Sequence, residues 1–83
     1  MKFRKPKRTD EKLSELIRLR MKELRSIHGL SQEYLIEHTG LDIFHFENGS
    51  KNPTTVSLAV LCDFYHITLG EFFTPMNYPP KEK

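Results

Sequence analysis

The chain has 83 residues, 37% hydrophobic and 29% charged, with a formal net charge of +2. That size allows one domain with a thin core, for which association is a natural way to bury more surface, and the composition is that of an ordinary soluble globular protein. The one cysteine, Cys62, excludes an internal disulfide and fits a reducing compartment. No apolar run approaches a membrane span, and the charged N-terminus lacks the apolar stretch of a secretory signal, so a cytoplasmic protein is expected.

The small net charge hides an asymmetry. Residues 1–25 carry ten basic groups against four acidic ones, whereas residues 26–80 carry Lys51 alone against six acids. This reads as a basic arm on a mildly acidic body.

In chain order, MKFRKPKR has too little apolar surface to order itself, and residues 1–9 are expected to form a flexible arm. Thr9 is placed to cap a first helix, with Asp10 and Glu11 in its first turn. Leu13, Leu16, Ile17, Met21, Leu24 and Ile27 recur at helical spacing, and Gly29 supplies a left-handed stop. Arg18, Arg20 and Lys22 read as its solvated face. Ser31 caps a second helix that ends at Thr39-Gly40. Asp42 is the cap of a short third helix running to Asn48, with Ile43 and Phe46 turned inward and Gly49 as its stop. SKNP is a loop, because the residue before Pro53 is pushed out of the helical region.

Thr54 or Thr55 opens a fourth helix with an apolar face of Val56, Leu58, Leu61, Cys62 and Tyr65. Thr68 and Glu71 form a capping box for a last short helix ending in Phe72-Phe73. The segment 75–83 is a proline-interrupted tail, expected to fray. The fold class is therefore all-α, a compact bundle of about five helices over residues 10–74.

Several of these residues together resemble the lambda-repressor-like, Cro/Xre-type helix-turn-helix family. They are Met21, Leu24 and Arg25 in the first helix, GLSQ-x-Tyr-Leu from Gly29 to Leu35, and Gly40 at the turn. Glu47-Asn48-Gly49, Asn52-Pro53 and ITLGEFF at residues 67–73 complete the match, which covers residues 19–73. The resemblance implies a third helix that enters the major groove of double-stranded DNA, within a helix-turn-helix over about residues 31–49. It places Gln32 on a phosphate at the second helix's N-terminus and pairs Arg25 with Glu47 as a structural ion pair. It also implies a cytoplasmic transcriptional regulator of bacterial type, a repressor, binding a two-fold site as a homodimer.

Two departures accompany the match. The interval from Gly40 to Glu47 is shorter than the family's usual one, so the gap falls in the turn and the start of the reading helix. Ile36 stands where the family keeps a small alanine, pushing the third helix outward. Asp42, Phe44, His45 and Asn48 remain as outward positions. Asn48 and His45 offer hydrogen bonds to bases or phosphates, and Phe44 an apolar contact to a thymine methyl. Lys51 is placed for a phosphate.

Each candidate has a plainer reading: Phe44 folding into a small core or a dimer, His45 as a solvated surface side chain. Arg4, Lys5, Lys7 and Arg8 of the arm would add sequence-independent charge along a groove, or serve only as a solubilising tail. The dimer surface is expected on the last helix and tail, at Phe72, Phe73, Met76 and Tyr78.

Cys62 is expected to be a buried, inert thiol. The four histidines are scattered without an i, i+4 pair, so neither a metal site nor a cofactor is expected. No P-loop, nucleophile elbow or carboxylate pair is present, and no enzyme is expected. The alternative is a non-catalytic protein-interaction module on the same scaffold, an antitoxin-like or regulatory partner with little base reading. The shortened helix and the acidic body favour it.

Overall fold

The computed structural model describes residues 10–80. Five helices follow in order: α1 (Glu11–His28), α2 (Gln32–Thr39), α3 (Ile43–Asn48), α4 (Thr55–Tyr65) and α5 (Leu69–Phe73). A 3-10 turn over Thr74–Met76 closes the series. The described residues contain no strand, and no single helix among them is long and apolar enough to cross a membrane. The arm expected at residues 1–9 lies outside the described residues, as do the last three residues of the tail.

Capping chemistry sets the element ends. Ser31 and Thr54 accept the amides of Tyr34 and Ser57 at 3.0 and 3.1 Å, each such cap stabilising its helix by about 1 kcal/mol. At α5 the capping box is complete: Thr68 Oγ1 accepts the Glu71 amide at 2.9 Å, and Glu71 Oε1 accepts the Thr68 amide at 2.8 Å. α1 ends in a Schellman arrangement in which the Gly29 amide reaches the Ser26 carbonyl and the Leu30 amide reaches that of Arg25. α4 ends the same way with a non-glycine, His66, in the left-handed region at φ 61.

One core joins all five helices: Met21 and Leu24 of α1, Leu35 of α2, Ile43 and Phe46 of α3, Leu58, Leu61, Cys62 and Tyr65 of α4, and Phe72 of α5. α3 packs against both α1 and α2, while α4 contacts α2 and α5. α4 meets α5 and its following turn at a bend of 98°. Burial pushes the Cys62 thiol above its usual pKa.

Several expectations are corrected here. The cap of α1 is Asp10, whose Oδ1 accepts the Leu13 amide at 3.0 Å, and not Thr9. Ile27 is 67% exposed, lying off the Met21–Leu24 stripe; His28, one position on, lies against the Tyr65 ring at 4.7 Å while remaining exposed itself. Val56 is 73% exposed: two residues before Leu58, it falls on the opposite side of α4 from Leu58, Leu61, Cys62 and Tyr65.

Arg20 is not solvated. Its Nε donates to the Phe72 carbonyl at 2.7 Å and its Nη2 to that of Glu71 at 3.0 Å, bringing a cation to the C-terminal end of α5. The tail is not frayed as far as residue 80. Phe73 and Met76 pack against the core, and the Tyr78 hydroxyl donates to the Asp10 carboxylate at 2.9 Å. Of the four residues expected to form a dimer surface, Phe72 is fully buried, while Phe73, Met76 and Tyr78 are half-buried.

Candidate nucleic-acid interface

The position of α3 is fixed from beneath by Glu47, a carboxylate only 2% exposed. Arg25 of α1 grips it with both arms of its fork, Nε to Oε2 and Nη2 to Oε1, each at 2.9 Å. The remaining Nη1 of Arg25 donates to the Leu30 carbonyl at 3.0 Å, tying the α1–α2 connection into the same cluster. Such a bidentate pair has a defined geometry that a lysine could not reproduce. The Glu47 hydrogen bond raises the Arg25 pKa, and burial opposes the rise in part.

Gln32 belongs to this cluster rather than to an open phosphate site. Its Nε2 donates to Glu47 Oε1 at 2.9 Å, so the resemblance's assignment of its side chain to DNA does not describe its place here. One buried carboxylate thus joins the C-terminal half of α1, the first residue of α2 and the last turn of α3.

The opposite side of α3 is open. Phe44 is 51% exposed and meets the His45 ring edge to face at 5.1 Å, so it is folded into no core. Asn48 is exposed, but its Oδ1 accepts both the Ser50 amide at 2.8 Å and the Ser50 hydroxyl at 2.7 Å. That leaves the amide nitrogen as its outward-facing chemistry, a donor without the paired acceptor that bidentate adenine reading needs.

Asp42 has a different task from the cap expected of it. It occupies the cap position of α3, yet its side chain makes no capping bond. Instead its carboxylate holds His45 Nδ1 at 2.8 Å and Lys51 Nζ at 2.9 Å. The hydrogen bond from His45, then that from Lys51, pull its pKa down to about 2. The clamp gathers His45, Lys51 and the start of α3 into one polar cluster beside Phe44. It also places an anion at the centre of the face, so a phosphate arriving there must compete for Lys51.

Sequence reasoning missed Arg18. A Cβ on Gly49 would stand 3.3 Å from the Arg18 guanidinium carbon, so this side chain lies against the end of α3. The signal was present: Arg18 precedes Arg25 by seven residues, two turns along the same stripe of α1. Arg18 also lines an open groove of about 530 Å³ with Lys12, Glu15, Asn48 and Asn52. Among the described residues no three His, Cys, Asp or Glu side chains gather as a metal ion requires. No family model matches the chain, and no curated protein or solved structure matches it.

Proposed function

We propose that this chain is a sequence-specific DNA-binding regulator of transcription, built on a lambda-repressor-like, Cro/Xre-type helix-turn-helix with a shortened recognition helix. It acts by occupancy as a dimeric repressor in the cytoplasm and carries out no catalytic step. One observation carries the reading: α3 is anchored through Glu47 to two other helices while Phe44, His45 and Asn48 stay outside. A short helix held this rigidly can present three side chains to a groove without losing its orientation, which is what base contact demands. Lys51 and Arg18 flank the face with charge, and Arg4, Lys5, Lys7 and Arg8 add a sequence-independent attraction to phosphates.

A protein-interaction module on the same scaffold is the second reading, and Asp42 favours it. A carboxylate amid the presented face repels phosphate but suits a partner with a basic or hydroxyl-rich surface.

Selection of bound sites from a random duplex pool separates the two. The DNA reading expects a preferred sequence for the full chain, and a loss of preference at one or two base pairs for Phe44→Ala or Asn48→Ala. A bidentate base contact is worth about 1–3 kcal/mol of discrimination, so the single donor of Asn48 or the apolar contact of Phe44 is expected to fall at or below the low end of that range. A pool that shows no enrichment for the wild-type chain removes the DNA reading.

A further inference from the structure

We infer that the outward stripe of α4 is a docking surface for a second copy of this chain, the two α4 helices packing antiparallel about a two-fold axis near Ala59 and Val60. The inference rests on the dimer of the functional reading and names the surface that forms it.

Leu58, Leu61, Cys62 and Tyr65 turn α4 toward the core, which places Val56, Ala59, Val60 and Asp63 in one line on the other side. The first three are apolar and exposed, Val56 to 73% and Val60 to 40%, with the small Ala59 between them where backbones can approach. An exposed helix face with three apolar residues and one charge is unusual for a solvated surface.

The charges of α4 say what covers it. Its first turn contains no acidic residue and its last turn no basic one. Asp63 sits near the C-terminal end, where the helix dipole disfavours an anion. Antiparallel pairing corrects both defects. It sets Asp63 of each copy beside Val56 of the other, at the positive N-terminal end of the facing helix, while Ala59 and Val60 meet across the axis. A parallel pairing would stack the two Asp63 carboxylates together. Because the interface is isologous, every contact occurs twice. The helix is about 16 Å long, so the shared surface is small and the dimer is expected to be weak and concentration-dependent.

The test is sedimentation of the full chain, without DNA, across a concentration series. Val56→Glu and Asp63→Lys each suit the isolated helix, placing an acid at its start or a base at its end, so the fold is retained and circular dichroism checks it. In the dimer each sets like charges or an unfavourable dipole across the axis, and each is expected to weaken association about tenfold or more. The double variant V56E/D63K brings the new carboxylate opposite the new ammonium of the other copy and is expected to restore association.

A chain that stays monomeric at every concentration overturns the inference, as does a dimer indifferent to all three variants. Duplex binding by a chain whose dimer ignores the variants leaves the DNA reading standing without this surface. Charge-dependent dimerisation in a chain that binds no duplex does the reverse.

Discussion

Glu47 is a buried anion whose position makes sense only through its partners. Arg25 meets it with two hydrogen bonds and Gln32 with a third, replacing the water that burial removed. Removing the carboxylate strands the Arg25 guanidinium within the structure. Glu47→Ala is therefore expected to lower stability by about 3 kcal/mol in urea unfolding at neutral pH. A loss well under 1 kcal/mol would mean that α3 is held by its apolar contacts alone.

Asp42 is the exposed counterpart, and its effect appears in the pH dependence. Its folded pKa, about 2, lies below the ordinary value of 3.8. A depressed carboxylate stabilises the fold above its unfolded value and loses that contribution as the pH falls through the folded one. Asp42→Asn should flatten the stability curve between pH 3.8 and about 2. An unaltered acid limb would show that the clamp on His45 and Lys51 does not hold in solution.

At the scale of elements, the helix ends were legible because they rest on local chemistry. Ser31, Thr54 and the Thr68–Glu71 box cap their own helices, and Gly29, Gly40 and Gly49 stop the first three in the left-handed region. These signals lie within a few residues of what they control. Gly49 differs from the other two glycines in having Arg18 beside it. Its φ of 87 strains any L residue, and the added methyl would press on the guanidinium, whereas Gly29 and Gly40 face open space. Gly49→Ala is expected to cost about 1–2 kcal/mol from the left-handed backbone. Displacement of Arg18 should be seen as a changed Arg18 Nε resonance, a response that Gly40→Ala should lack. An Arg18 signal equally unmoved in both variants would remove Arg18 from the end of α3.

What sequence did not reveal depends on long-range partners. Arg20 reads as a solvated cation until α5 ends above it, 52 residues later, and Tyr78 reads as tail until Asp10 appears beside it, 68 residues away. Val56 reads as core because an apolar residue near other apolar residues resembles a face, although the helix turns it away. The candidate site divides on the same line. The outward positions Phe44, His45 and Asn48 follow from the inward pair Ile43 and Phe46. The Asp42 clamp and the capture of Gln32 by Glu47 depend on side-chain choices among several available partners.

The whole molecule combines a small helical body with basic charge concentrated in residues 1–25 of the chain. On the proposed DNA reading, α3 and its neighbours would supply orientation, and the basic groups ahead of α1 would supply most of the attraction to phosphate. Each phosphate neutralised on a duplex contributes about 0.9 to the dependence of binding on salt, so Lys2, Arg4, Lys5, Lys7 and Arg8 together imply a slope near −4.5, to order of magnitude.

The measurement that reaches this claim most directly is fluorescence anisotropy of a labelled random-sequence duplex, titrated with the full chain over a series of salt concentrations. The account predicts tight binding at low salt, a log–log slope near about −4.5, and a slope shallower by about 3.6 when Arg4, Lys5, Lys7 and Arg8 are replaced by glutamine. No binding at the lowest salt would contradict it.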